Sequence, residues 1–205
     1  MKISIIYKLK NNYISLQNTI GDLIMNIANK VTMVRVFLVP IFIFSYYYNI
    51  NNQQTLTAII FIIASLTDAL DGYLARSKNL VTNFGKFIDP LADKILTATA
   101  LILLVEAGKV AGWIVVIIIA REFTITGFRI LAAAEGITIA ASPLGKIKTI
   151  SQLFAIILLL LDNTVFINFN IPMDYLMLYV SLIFTVLSGI DYIYKNLSVL
   201  NLEDK

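Results

Sequence analysis

The chain is expected to fold as an all-α integral membrane protein, with six transmembrane helices preceded by an N-terminal amphipathic interfacial helix. Three observations carry that expectation. Of 205 residues, 59% are hydrophobic and 14% charged, and the mean hydropathy is +0.83. A water-soluble domain of this size needs far more charge to cover its surface. Apolar stretches recur that approach or exceed the roughly 20 residues needed to cross about 30 Å of hydrocarbon. Finally, threading those stretches back and forth places almost all Lys and Arg on one side.

The elements follow in order. Residues 1–18 form a basic, Asn-rich extension, and residues 19–205 are expected to form one membrane domain. The first apolar run is short and no small-residue cleavage site follows it, so the N-terminus is expected to stay attached. In the segment I-G-D-L-I-M-N-I-A-N-K-V, residues Ile20, Leu23, Ile24, Ile27 and Val31 share one helical face, against polar Asp22, Asn26, Asn29 and Lys30. That pattern predicts a helix lying in the interface, with a plain juxtamembrane linker as the alternative. Spans are then predicted at about Met33–Tyr48, Thr55–Ala75, Gly85–Val105, Val110–Leu131, Pro143–Leu161 and Tyr175–Tyr194.

With the N-terminus inside, the inner segments carry Lys2, Lys8, Lys10, Lys30, Arg35, Arg76, Lys78, Lys86, Arg129, Lys146, Lys148, Lys195 and Lys205. The outer loops carry Lys109 alone. Both termini and the turn at Arg76–Asn83 are therefore expected in the cytoplasm. The Ile/Asn/Lys-rich composition suggests an AT-rich bacterial genome, and hence the bacterial plasma membrane. No nucleic-acid partner is expected.

The chain has no Cys and no His. Disulfides, thiolate nucleophiles and imidazole bases are thereby excluded, leaving carboxylates, Lys, Tyr or water for acid/base work. Acids inside a bilayer are costly and usually functional, and four stand at the junction of the second and third spans. Asp68 and Asp71 lie about 60° apart around a helix, and Asp89 and Asp93 about 40° apart. A short turn folds the two helices back on each other and can bring the pairs together. Four facing carboxylates repel strongly in a low-dielectric setting, and divalent cations with oxygen preference relieve that repulsion. Gly72, Ala75 and Gly85 keep the surroundings small enough for close approach. Arg76, one turn past Asp71, can meet a phosphate with a forked contact. A buried helix-packing role accounts for one aspartate but not for four at this spacing. A proton or cation pathway would scatter its acids across several helices.

The stretch D-A-L-D-G-Y-L-A-R-S-K-N-L-V-T-N-F-G-K-F-I-D-P-L-A-D resembles the signature D-x2-D-G-x2-A-R-x8-G-x3-D-x3-D of the CDP-alcohol phosphatidyltransferase family. All eight signature positions are filled, by Asp68, Asp71, Gly72, Ala75, Arg76, Gly85, Asp89 and Asp93. The resemblance implies a two-metal site, Mg2+ or Mn2+, against the pyrophosphate of CDP-diacylglycerol. It implies that Asp68, Asp71 and Asp89 are metal ligands and that Asp93 is both ligand and general base, in keeping with the lack of His. It places Gly72, Ala75, Arg76, Thr82 and Gly85 around the CDP-lipid, and Asn29, Thr32 and Arg35 at the entrance for it. It also implies a homodimer.

A second set of charges concerns the acceptor. The fourth span contains R-E-F-T-I-T-G-F-R, and the fifth opens with P-L-G-K-I-K-T. Arg121, Arg129, Lys146 and Lys148 suit a second anionic substrate. Glu122 and Arg129, seven residues apart, share a face. An Arg121–Glu122 ion pair that only aligns helices, and lysines that only anchor the membrane edge, are the plainer readings. The two strings look like the glycerol-phosphate branch of the family, which implies sn-glycerol 3-phosphate as acceptor, with phosphatidylglycerol phosphate and CMP as products. The alternatives are a sister transferase using serine, inositol phosphate or phosphatidylglycerol, and a non-enzymatic cation transporter.

Overall fold

The computed structural model describes residues 27–48, 54–77, 83–134, 136, 137, 139 and 142–196; at 27–33, 35, 54, 68–77, 83–93 and 134 the description is of the backbone. Six long helices follow one another among the described residues: α1 (Ile27–Tyr47), α2 (Gln54–Ser77), α3 (Asn83–Glu106), α4 (Gly112–Ala134), α5 (Pro143–Leu160) and α6 (Met173–Lys195). A single 3-10 turn, Ile167–Phe169, precedes α6, and there is no strand among the described residues. Each helix overlaps a predicted apolar stretch, because hydropathy and turn residues mark the same boundaries; α1 begins at Ile27, well before the expected Met33. The interfacial helix expected from Ile20 lies largely outside the described residues, as does the extension 1–18. Ile27–Val31, its last turn, is the first turn of α1.

The links explain where the helices stop. After α3 the chain turns at Gly108, whose φ of +71° is a left-handed conformation that glycine adopts without penalty. The Lys109 amide donates back to Leu104 O at 3.0 Å, and α4 begins at Gly112. α5 starts with Ser142 as N-cap and Pro143 in the first turn. Ser142 Oγ accepts from the Gly145 amide at 3.1 Å, satisfying a helix-end donor, and the fixed φ of proline suits that position.

Side-chain contacts establish that successive helices reverse. At one end, Thr57 Oγ1 donates to Ser45 O at 3.2 Å, joining the start of α2 to the end of α1. Tyr46 donates to Leu103 O at 3.2 Å and Tyr47 to Glu106 Oε2 at 2.5 Å, bringing in the end of α3. Lys109 pairs with Asp162 and donates to Leu159 O, adding the end of α5. Consequently the end of α2, the start of α3, the end of α4 and the start of α5 are directed toward the opposite end.

The main core joins Phe42, Phe61, Leu96, Leu104, Ile118 and Ile156, all but excluded from solvent, with residues of α6. α5 and α6 form the most extensive helix pair. On α6 the small side chains Ser181, Thr185 and Ser188 are fully buried. These hydroxyls donate to their own helix, as Thr185 Oγ1 does to Ser181 O at 2.6 Å. Outward, large apolar side chains such as Phe37, Phe44, Val116, Phe154, Ile183 and Ile190 are exposed on several helices, a surface suited to lipid rather than water. By length and composition, Pro143–Leu160 and Met173–Lys195 are candidate membrane spans, and Val36–Tyr47 and Thr55–Thr67 are shorter apolar helices.

Candidate active site

The signature residues occupy two neighbouring helices. Asp68, Asp71, Gly72, Ala75 and Arg76 lie in the C-terminal half of α2, and Gly85, Asp89 and Asp93 in the N-terminal half of α3. Since α2 and α3 pack together and reverse direction, both aspartate pairs occupy the half of the bundle directed away from Glu106. Their side chains lie outside the described residues, as do those of Asn29, Thr32 and Arg35 in the first turns of α1, and Thr82 in the 78–82 link.

The described polar side chains nearest in sequence to Asp93 belong to a buried ionic group. Lys94, the next residue, pairs with Glu122 Oε2 from α4. The other carboxylate oxygen of Glu122 pairs with Lys148 from α5. Lys148 is only 2% exposed. Arg121 Nη1 stands 3.6 Å from Glu122 Oε1. Buried charges are tolerated when paired and hydrogen-bonded, and here one carboxylate serves three cations. Among these four side chains, positive charge is in excess.

Arg121 also has its own seat. Its Nη2 donates to Ser188 Oγ on α6 at 2.9 Å, and its Nε is buried without a hydrogen-bond partner. Gly189 makes room for its stem, because a Cβ there would stand 3.2 Å from Arg121 Cγ. On the α5 side, a Cβ at Gly145 would lie 3.8 Å from Arg121 Nη2, so the guanidinium lies beside the first turn of α5. Two turns further along α4, Arg129 Nε donates to Tyr192 Oη at 3.2 Å, with its guanidinium 5.4 Å from the ring centroid. Lys146 is exposed in the first turn of α5.

The structure thus brings together Arg121 and Lys148, through Glu122, and directs Arg129 toward α6. The shared face inferred for Glu122 and Arg129 from their spacing does not give them a shared partner: Glu122 meets the lysines of α3 and α5, whereas Arg129 meets Tyr192. The Arg121–Glu122 contact exists, but Glu122 is engaged chiefly by two lysines. Lys94, Gln152, Ser188, Gly189 and Tyr192 were not singled out from the sequence. Lys94 alone carried a signal, as a charge inside an apolar span beside Asp93. A small cavity of about 10 Å3, room for about one water, lies beside the group and is lined in part by Lys94, Thr97, Glu122 and Gln152. Gln152 Oε1 is buried there without a hydrogen-bond partner.

The eight-position signature on α2 and α3, with the ionic group that Lys94 of α3 joins, defines a class. Residues 25–187 match the CDP-alcohol phosphatidyltransferase family, and the chain belongs to it. CDP-alcohol phosphatidyltransferases are generally metal-dependent. The chain is similar to the CDP-diacylglycerol–glycerol-3-phosphate 3-phosphatidyltransferase of Bacillus subtilis (strain 168), at 46% identity over 183 residues, covering 83% of this chain and 95% of that protein. A protein of the same name from Wigglesworthia glossinidia brevipalpis is 41% identical over 175 residues, covering 83% and 94%. Another, from Rickettsia felis, is 36% identical over 169 residues, covering 82% and 93%. Together with the apolar helices, these bacterial relatives point to a membrane protein.

Proposed function

We propose that the chain transfers the phosphatidyl group of CDP-diacylglycerol to sn-glycerol 3-phosphate, yielding phosphatidylglycerol phosphate and CMP. The observation that carries this reading is the complete family signature in a chain 46% identical to a bacterial enzyme of that name. The cationic group of Arg121, Lys94 and Lys148 supports an anionic acceptor.

Asp68, Asp71, Asp89 and Asp93 form an all-carboxylate donor set on two packed helices, which fits hard cations such as Mg2+ or Mn2+. Those four residues would hold two such ions, which supply charge stabilisation to the entering and leaving oxygens when bound. Asp93 takes the proton from the free hydroxyl of glycerol phosphate. That oxygen attacks the phosphorus bearing the diacylglycerol, and the bond to CMP breaks. Gly72, Ala75, Arg76, Thr82 and Gly85 form the seat of the CDP moiety, with Asn29, Thr32 and Arg35 at its entrance. Arg121, Arg129, Lys146 and Lys148 hold the acceptor phosphate by charge-assisted hydrogen bonds.

The same reading makes all six helices transmembrane, with an interfacial helix before them. Both termini and the site then lie on the cytoplasmic side of a bacterial plasma membrane, where water-soluble acceptor and CMP exchange freely. It also takes the chain to act as a homodimer. The purified chain, given CDP-diacylglycerol, labelled glycerol 3-phosphate and Mg2+ or Mn2+, should form labelled lipid and release CMP, and chelation should stop it. Asp93→Asn should abolish both products with its helical circular dichroism unchanged. Full activity in that variant overturns the base assignment. Product formed only with serine, inositol phosphate or phosphatidylglycerol would make it a sister enzyme; ion flux in liposomes without CMP release would make it a transporter.

A further inference from the structure

We infer that Glu122 is a positioning residue: its carboxylate holds Lys148 for the acceptor phosphate and ties that lysine to Lys94, the neighbour of Asp93. The inference rests on the proposed transfer to glycerol 3-phosphate and assigns a role to a residue that this reading leaves without one. α4 packs mainly on α6 and α3, whereas α5 packs mainly on α6, α2 and α3. The two helices bearing the acceptor cations are therefore held side by side largely through their neighbours. Glu122 spans them directly, with Oε1 on Lys148 and Oε2 on Lys94. All three side chains are mostly buried, with side-chain exposures of 17% for Glu122, 3% for Lys148 and 16% for Lys94.

A lysine on a flexible four-carbon stem is a poor fixed donor by itself. Buried against one carboxylate oxygen, the Lys148 ammonium is restricted to a small volume. Glu122 meets three cations with one carboxylate, so it orders them about a single point. Because Lys94 follows Asp93 in the chain, the same carboxylate links the acceptor cations to the helix turn bearing the base. A movement of α5 relative to α3 would thus alter the separation of acceptor phosphate and base. Orientation of that kind contributes to rate as well as to binding.

The test compares E122Q, E122D and K148M in the purified full chain, after the unsubstituted chain has been shown to make labelled lipid from glycerol 3-phosphate. Absence of product from the unsubstituted chain refutes the proposed function, independently of Glu122. With product established, E122Q should raise KM for glycerol 3-phosphate about tenfold or more, the scale of one charge-assisted hydrogen bond. KM for CDP-diacylglycerol should stay within about twofold, since uniform damage to the fold would move both constants. Combining E122Q with K148M should add little to K148M alone, because both changes disable one unit. Should E122Q not fold, E122D keeps the charge one methylene shorter and carries the same expectation in smaller measure. An unchanged KM for glycerol 3-phosphate in the folded variant, or fully multiplicative effects in the double variant, overturns the inference.

Discussion

Gly189 shows how much a single hydrogen can matter in this molecule. It lies on α6 where a methyl group would press to within 3.2 Å of Arg121 Cγ, and the adjacent Ser188 receives the Arg121 guanidinium. Gly189→Ala therefore makes the Arg121 stem give by a few tenths of an ångström. The expected outcome is a several-fold rise in KM for glycerol 3-phosphate, read from acceptor titration. Unaltered acceptor kinetics would mean that Arg121 does not contact the acceptor. Arg121 was legible in the sequence as a charge within an apolar run. Gly189 was not, since nothing in S-G-I-D indicates that a distant arginine passes over it.

At the scale of elements, helix boundaries were legible and helix partnerships were not. Hydropathy, the turn at Ala107–Lys109 and the Pro143 start were sufficient to bound α3, α4 and α5, because each has a local cause. Which face of α4 would meet α5 or α6 depends on tertiary packing. Spacing placed Glu122 and Arg129 together, yet the bundle divides them between Lys148 and Tyr192. The start of α5 offers a local test, because the Ser142 cap orders the turn that carries Lys146 and leads to Lys148. Ser142→Ala should cost about 1 kcal/mol of stability, visible as a lower denaturation midpoint. It should weaken glycerol phosphate binding more than CDP-diacylglycerol binding. Equal effects on both substrates would reduce the cap to a purely structural role.

The whole molecule has two unlike ends. One gathers the links near Tyr47, Lys109 and Asp162, where Lys109 is the basic residue of the described links. The other collects the N-terminal side of α3, the C-terminal side of α4 and the start of α5, and the signature segments of α2 and α3 lie in that half. If the proposed orientation holds, Thr164→Cys faces outward and Lys195→Cys faces the cytoplasm; both positions are exposed. The chain has no native Cys, so each single cysteine reports unambiguously. In intact cells, a membrane-impermeant maleimide should label the first, and the second only after permeabilisation. The reverse pattern would invert the topology and place the site outside.

The sequence by itself determined the membrane character, the helices and the eight signature residues, because hydropathy, turn residues and motif spacing are properties of short stretches of chain. It also exposed Arg121, Arg129 and Lys148 as charges among apolar residues. Only the tertiary structure decided which of those charges meet. Glu122 reaches Lys94 and Lys148, Arg121 settles over Gly189, and Arg129 turns to Tyr192, through contacts between residues far apart in the chain. Those pairings follow from how the reversing helices rotate against one another, and no local spacing records that rotation.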